Sequence, residues 1–251
     1  MTDTSPAAAS LRDLPLTERV ITALDVADPR AAYDLARALG ERGRIVKIGM
    51  ELFTAAGPAV IAGLRTSGKE IFLDLKFKDI PNTVAGAVGA ACGLGVAMLT
   101  LHADGGRRML EAAVAAADEA AARGLRRPAL LAVTVLTSLT LEEADEAAPG
   151  GGPLADRIVR LARLARDSGC DGVVCSPQDL PALRSEVGDE LLAVTPGVRP
   201  AGATDDDQRR VATPAEAMRG GADFLVVGRP ITRAVDPAAA LTEISQELTT
   251  A

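Results

Sequence analysis

Between positions 74 and 79 the sequence places two carboxylates and two ammonium groups, Asp74, Lys76, Lys78 and Asp79, directly after the apolar run Ile71-Phe72-Leu73. A buried strand does not ordinarily end in so much charge. In an extended chain, residues two apart share a face, so Asp74 and Lys76 are expected on one side and Leu75 on the other. A carboxylate held beside an amine at a strand end is suited to positioning and transferring a proton. Read in isolation, the pair is more simply a solvated turn with a surface ion pair, which is worth little. Lysine occurs only at positions 47, 69, 76 and 78, every other basic side chain except His102 being arginine. Guanidinium does not release a proton near neutral pH, so lysines kept at strand ends point to a need for a titratable amine.

The elements that must position these groups are legible as alternation. Apolar runs rich in Val, Ile and Leu lie at 20–24, 45–48, 71–75, 97–101, 130–136, 172–175, 191–195 and 224–227. Continuous runs of this kind fit parallel strands buried on both faces. Helical patterns at 31–39, 57–64, 81–91, 107–123, 154–167, 179–187, 214–219 and about 237–248 separate and follow them. Asp28-Pro29 and Asp236-Pro237 are helix starts, and glycines at 40, 93, 124, 169, 188 and 220 mark helix ends. Eight strands alternating with eight helices predict an α/β fold, a (β/α)8 TIM barrel in a single domain over 17–251. Residues 1–16, rich in Ala, Thr and Ser at the start, are expected to be a flexible tail. The competing doubly wound sheet would more often carry G-x-G-x-x-G after its first strand, where this chain has Asp25.

In such a barrel the site is built at the C-terminal ends of the strands. In chain order those positions hold Asp25, Lys47, Asp74 with Lys76, His102 and Asp104, Thr137-Ser138, Ser176, Thr195 to Arg199, and Gly228-Arg229. Apolar strands that meet polar residues at one end favour a site over a surface pair. The last strand ends suggest an anion site. Gly228 lets a ligand approach the backbone, Arg229 can make a bidentate contact, and Arg199 can close from the preceding loop. The segments 147–153 and 199–210 read as lids or as plain surface loops. Thr137 and Ser138 either contact a ligand or open a loop. His102 reads more simply as a strand-end histidine bonded to a neighbour.

Composition excludes several classes. The net charge of −7 argues against nucleic acid or an anionic membrane surface as partner. No apolar run reaches the roughly 20 residues of a membrane span, and the N-terminus lacks the pattern of a secretion signal. Cys92, Cys170 and Cys175 show no C-x-x-C spacing and read as buried apolar residues in a reducing, cytoplasmic location. His102 is the sole histidine, so neither a histidine metal cluster nor a triad with a spare histidine is available.

Together the segments ITALDV, VKIGMELF, FLDLKFKDIPNTV, LTLHADGG, AVTVLTS, DGVVCSPQD, VTPGVRP, DQRR and VVGRPIT resemble the orotidine 5'-phosphate decarboxylase family, in family order from about Arg19 to the last helix. The resemblance implies cofactor-independent, metal-free decarboxylation of orotidine 5'-monophosphate to UMP, with Lys76 protonating C6 and Asp74 near the substrate carboxylate. Lys47 and Asp79 would complete an alternating Lys-Asp network. It also implies a homodimer with shared active sites, in which Asp79, Ile80 and Thr83 serve the partner's site, and Pro81 and Asn82 lie in the same substrate-binding segment. Asp25 and Thr83 would bind ribose hydroxyls, Ser138 the pyrimidine edge with Thr137 beside it, and Gln208, Gly228 and Arg229 the phosphate, with Arg199 at that end.

Three alternatives remain at this point. A metal-dependent phosphosugar decarboxylase or synthase of the same superfamily would keep D-x-K-x-x-D but need a carboxylate-rich metal site. A Schiff-base aldolase would need an unprotonated lysine, which flanking aspartates disfavour. A non-catalytic phosphate-ligand barrel would not need the charge array at all.

Overall fold

The computed structural model describes residues 5–148, 152–200 and 212–249. The alternation expected from the apolar runs is realised as a closed barrel of eight parallel strands in sequential order. The strands are β1 (Val20–Ala23), β2 (Ile45–Gly49), β3 (Glu70–Phe77), β4 (Met98–His102), β5 (Ala129–Val133), β6 (Gly172–Val174), β7 (Leu192–Thr195) and β8 (Phe224–Val227). Strand β8 closes on β1 through Val20 opposite Leu225 and Ile21 opposite Val226.

The helices are α1 (Pro6–Arg12), α2 (Pro29–Ala38), α3 (Met50–Ala56), α4 (Ala59–Thr66), α5 (Pro81–Gly93) and α6 (Arg107–Ala122). They continue with α7 (Leu141–Ala147), α8 (Leu154–Asp167), α9 (Leu180–Val187), α10 (Pro214–Arg219), α11 (Arg229–Thr232) and α12 (Pro237–Glu247). Local chemistry sets their starts. Asp28 accepts the Arg30 N–H at 2.9 Å with Pro29 opening α2, and Asp236 accepts the Ala239 N–H at 3.0 Å with Pro237 opening α12. Thr140 with Glu143, and Thr213 with Glu216, form reciprocal capping boxes at α7 and α10.

Strand side chains alternate between two apolar layers. Ile21, Ile45, Phe72, Met98, Leu131, Leu192, Val194 and Phe224 fill the barrel interior. Val20, Val46, Ile71, Leu99, Leu130, Val173, Ala193 and Leu225 join the layer between strands and helices. On the interior face, Lys47 and Asp74 continue the series of Ile45 and Phe72 toward the C-terminal end. Apolar filling therefore gives way to charge at that end. Cys92, Cys170 and Cys175 are buried, and burial pushes the Cys170 thiol up to about 12.

Within the segment expected to be a flexible tail, residues 6–12 form helix α1. Ser5 caps α1 by accepting the Ala8 N–H at 3.3 Å, and Ala8 and Leu11 are buried against the interior apolar cluster. Ser5 Oγ also donates to Asp171, and Arg12 lies 3.8 Å from Asp223, both aspartates standing just before a strand. Helix α1 thus covers the N-terminal end of the barrel. Its apolar face is only two residues wide, too short to register as helical periodicity in the sequence.

Candidate active site

A cavity of about 610 Å³ opens at the C-terminal ends of the strands. Of the residues expected in the site, Asp25, Lys47, Asp74, Lys76, Thr137, Arg199, Gly228 and Arg229 line it. The order of strand ends in the sequence has become a ring around one space.

The charged centre is a chain of contacts. Lys76 Nζ donates to Asp74 Oδ1 at 2.8 Å, and Lys47 Nζ lies 3.6 Å from Asp74 Oδ2 and 2.8 Å from Asp25 Oδ1. The side chains of Lys47, Asp74 and Lys76 are 11%, 13% and 24% exposed, so this is a largely desolvated array and not a solvated pair. Burial alone drives the Asp74 carboxyl upward. Lys47 and Lys76, with hydrogen bonds from Lys76 and Thr100, outweigh that and hold it below the ordinary carboxylate range. Gly49 leaves room for this arrangement, because a Cβ there would lie 3.1 Å from Lys47 Nζ and 3.3 Å from Asp25 Oδ1.

The pair at Asp74 and Lys76 meets by a route different from simple alternation. Strand β3 runs on to Phe77, and its register against β4 shifts between Leu73 and Phe77. Lys76 has φ of 52°, the one non-glycine residue with positive φ among those described. This irregularity, and not a flat strand, aims the ammonium. Thr100 is part of the same construction. Its hydroxyl donates to Asp74 Oδ1 and accepts the Lys76 N–H, both at 2.9 Å. Sequence reasoning missed Thr100, Gly49 and Arg233, the last another cation lining the cavity. The available signal for Thr100 was a hydroxyl inside the apolar run Met98-Leu99-Thr100-Leu101.

Other expected residues stand apart from the cavity. Lys78 pairs with Asp104 at 2.6 Å on the surface, and Asp79 is exposed with its carboxylate accepting the Ile80 N–H at 2.6 Å. Ile80 is 66% exposed, Asn82, Thr83 and Ser138 are exposed and Pro81 is half-buried, and none of these lines the cavity. The four charges of the opening motif therefore split, two inward and two on the rim. Ser176 is buried and donates to Asp179 at 2.6 Å, which makes it a helix cap. His102 Nδ1 lies 3.7 Å from Asp104, too far for the expected hydrogen bond, and burial lowers its basicity more than Asp104 raises it. Gln208 and most of the 199–210 lid lie outside the described residues, as does the centre of the 147–153 loop. Among the described residues no group of three or more His, Cys, Asp or Glu is placed to hold a metal ion, and no helix is long and apolar enough to cross a membrane.

An array of two ammonium groups around a fixed carboxylate, beside a cavity with arginines at one side, suits an anionic substrate that develops negative charge next to a lysine. Comparison with known proteins narrows this. Residues 18–244 match the family described as Orotidine 5'-phosphate decarboxylase / HUMPS family. The chain is 53% identical over 241 residues to an orotidine 5'-phosphate decarboxylase of Halorhodospira halophila, covering 95% of this chain and 99% of the relative. It is 50% identical over 232 residues to one of Moorella thermoacetica, covering 92% of each. The crystal structure of orotidine 5'-phosphate decarboxylase from Lactobacillus acidophilus superposes with a TM-score of 0.82 at 41% identity, covering 91% of this chain and 98% of that one.

Proposed function

The chain belongs to the orotidine 5'-phosphate decarboxylase / HUMPS family, it decarboxylates orotidine 5'-monophosphate in pyrimidine biosynthesis, and we propose that Lys76 delivers the proton that replaces carbon dioxide. The observation that carries this proposal is the Lys47–Asp74–Lys76 chain of contacts at the cavity wall.

The C6–carboxylate bond breaks and its electron pair stays on C6 as carbon dioxide leaves. That lone pair lies in the ring plane, orthogonal to the π system, so ring resonance does not stabilise it. A fixed ammonium beside C6 stabilises the charge as it forms and then gives up its proton to yield UMP. An arginine would supply the charge but not the proton. Asp74, kept ionised by its two lysines, holds Lys76 in place and faces the reacting carboxylate. Lys47 ties Asp74 to Asp25, which sits where ribose hydroxyls would bind. Thr137 and Ser138 are assigned to the pyrimidine edge.

Arg229, Gly228 and Arg199, with Gln208, take the phosphate. Enzymes lower barriers by up to about 23 kcal/mol for slow reactions, more than one lysine supplies. Binding energy from the phosphate is therefore used to organise the charged array. The exposed positions of Asp79, Ile80, Asn82 and Thr83, with Pro81 between them, support their assignment to the site of a second subunit in a homodimer. The reading takes no cofactor, metal, nucleic acid or membrane as partner and places the enzyme in the cytoplasm; the net charge of −7 supports the exclusion of nucleic acid.

Purified protein with EDTA should consume orotidine 5'-monophosphate, followed by loss of its ultraviolet absorbance. Activity that requires an added divalent cation would instead favour the metal-dependent branch of the superfamily.

A further inference from the structure

Strand β3 contains a fault in its pairing, and one side chain of β4 fills it. Phe72 pairs with Met98 and Leu73 with Leu99, and pairing resumes at Phe77 with Leu101. Asp74, Leu75 and Lys76 therefore lie opposite Thr100 alone. A bulge of this kind takes backbone groups out of the ladder, and a buried N–H without a partner is costly. Thr100 is 0% exposed, and its hydroxyl accepts the Lys76 N–H and donates to Asp74 Oδ1, both at 2.9 Å. One group thus binds the backbone of the lysine and the carboxylate that holds its ammonium. The backbone at Lys76 has φ of 52°, a conformation that side chains with a Cβ enter only when their surroundings impose it.

We propose that Thr100 is a positioning residue of the reaction: its hydroxyl locks the β3 bulge so that the Lys76 ammonium and the Asp74 carboxylate hold one geometry at the cavity wall. Thr100 does not touch the reacting atoms. The role needs a donor and an acceptor in one small group, which serine keeps and valine and alanine lack. The proposal rests on the assignment of Lys76 as proton donor.

The test compares Thr100→Val, Thr100→Ser and Lys76→Ala on orotidine 5'-monophosphate. Thr100→Val is expected to lower kcat by about 10- to 100-fold, the scale of a small misplacement of a reacting group. KM should stay within about threefold, because the phosphate contacts are untouched, and serine should restore kcat to within about threefold of the parent. The Thr100 hydrogen bond also favours the ionised Asp74, so the acid limb of kcat in the valine variant should move to higher pH. A valine variant with parental kcat, or serine and valine variants equally impaired, overturns the proposal. Should the valine variant not fold, Thr100→Ala is read against serine in the same way. If Lys76→Ala keeps its turnover, the assignment of Lys76 itself fails. If it loses turnover while Thr100→Val does not, only the role of Thr100 fails.

Discussion

Asp74 shows how one residue's environment settles its chemistry. Burial opposes its charge, yet two lysines and two hydrogen-bond donors hold its pKa below the ordinary value. A carboxyl with a lowered folded-state pKa adds stability that is fully present above its unfolded value, about 3.9, and is lost as pH falls through the folded value. The stability advantage of the parent over Asp74→Asn should therefore stay constant from about pH 7 to pH 5 and shrink only in the acid range below. Urea unfolding of both proteins across that series measures it, and an advantage that declines between neutrality and pH 5 would contradict the lowered pKa. Residue types and spacing exposed Asp74 and Lys76 in the sequence. The left-handed backbone of Lys76 and the bridging Thr100 were not legible. No glycine marks the bulge, and threonine is an ordinary strand former whose partners depend on register.

At the scale of elements, the eight apolar runs located every strand, most of them to within one or two residues, because buried parallel strands need continuous apolar sequence. Strand β3 outran its expected end because Lys76, charged and yet half-buried, breaks the apolar run before Phe77 completes the strand. Helices α3, α7 and α11 were missed for separable reasons. Helix α3 starts at Met50 directly after Gly49, which offers no side-chain cap, and α11 is four residues long. The Thr140–Glu143 capping box of α7 was readable but sat in a segment with little apolar periodicity. The docked α1 makes a prediction at this scale. Leu11 is 7% exposed, and Leu11→Ala should lower unfolding stability by about 2–3 kcal/mol while leaving kcat/KM unchanged, since the cavity lies at the opposite end of the barrel. Equal stability of the two proteins would mean that α1 adds nothing to the barrel.

Across the whole molecule, barrel closure converts a linear list of strand ends into a site. Although the chain carries a net charge of −7, Lys47, Lys76, Arg199, Arg229 and Arg233 all line one cavity. Asp79 belongs to a larger assembly on the reading advanced above, because it is exposed on the rim and absent from its own cavity wall. Co-assembly of Lys76→Ala subunits with Asp79→Ala subunits should then regain activity that neither variant has alone, since one site of each mixed dimer is intact. Mixtures as inactive as their components would argue for self-contained sites. The most direct test of the central claim is the kcat of Lys76→Ala beside the parent protein, both in EDTA and both shown to be folded. Loss of at least about a thousandfold in turnover is predicted, the combined scale of a missing general acid and a missing charge; turnover close to that of the parent would contradict the assignment of Lys76 as the proton donor.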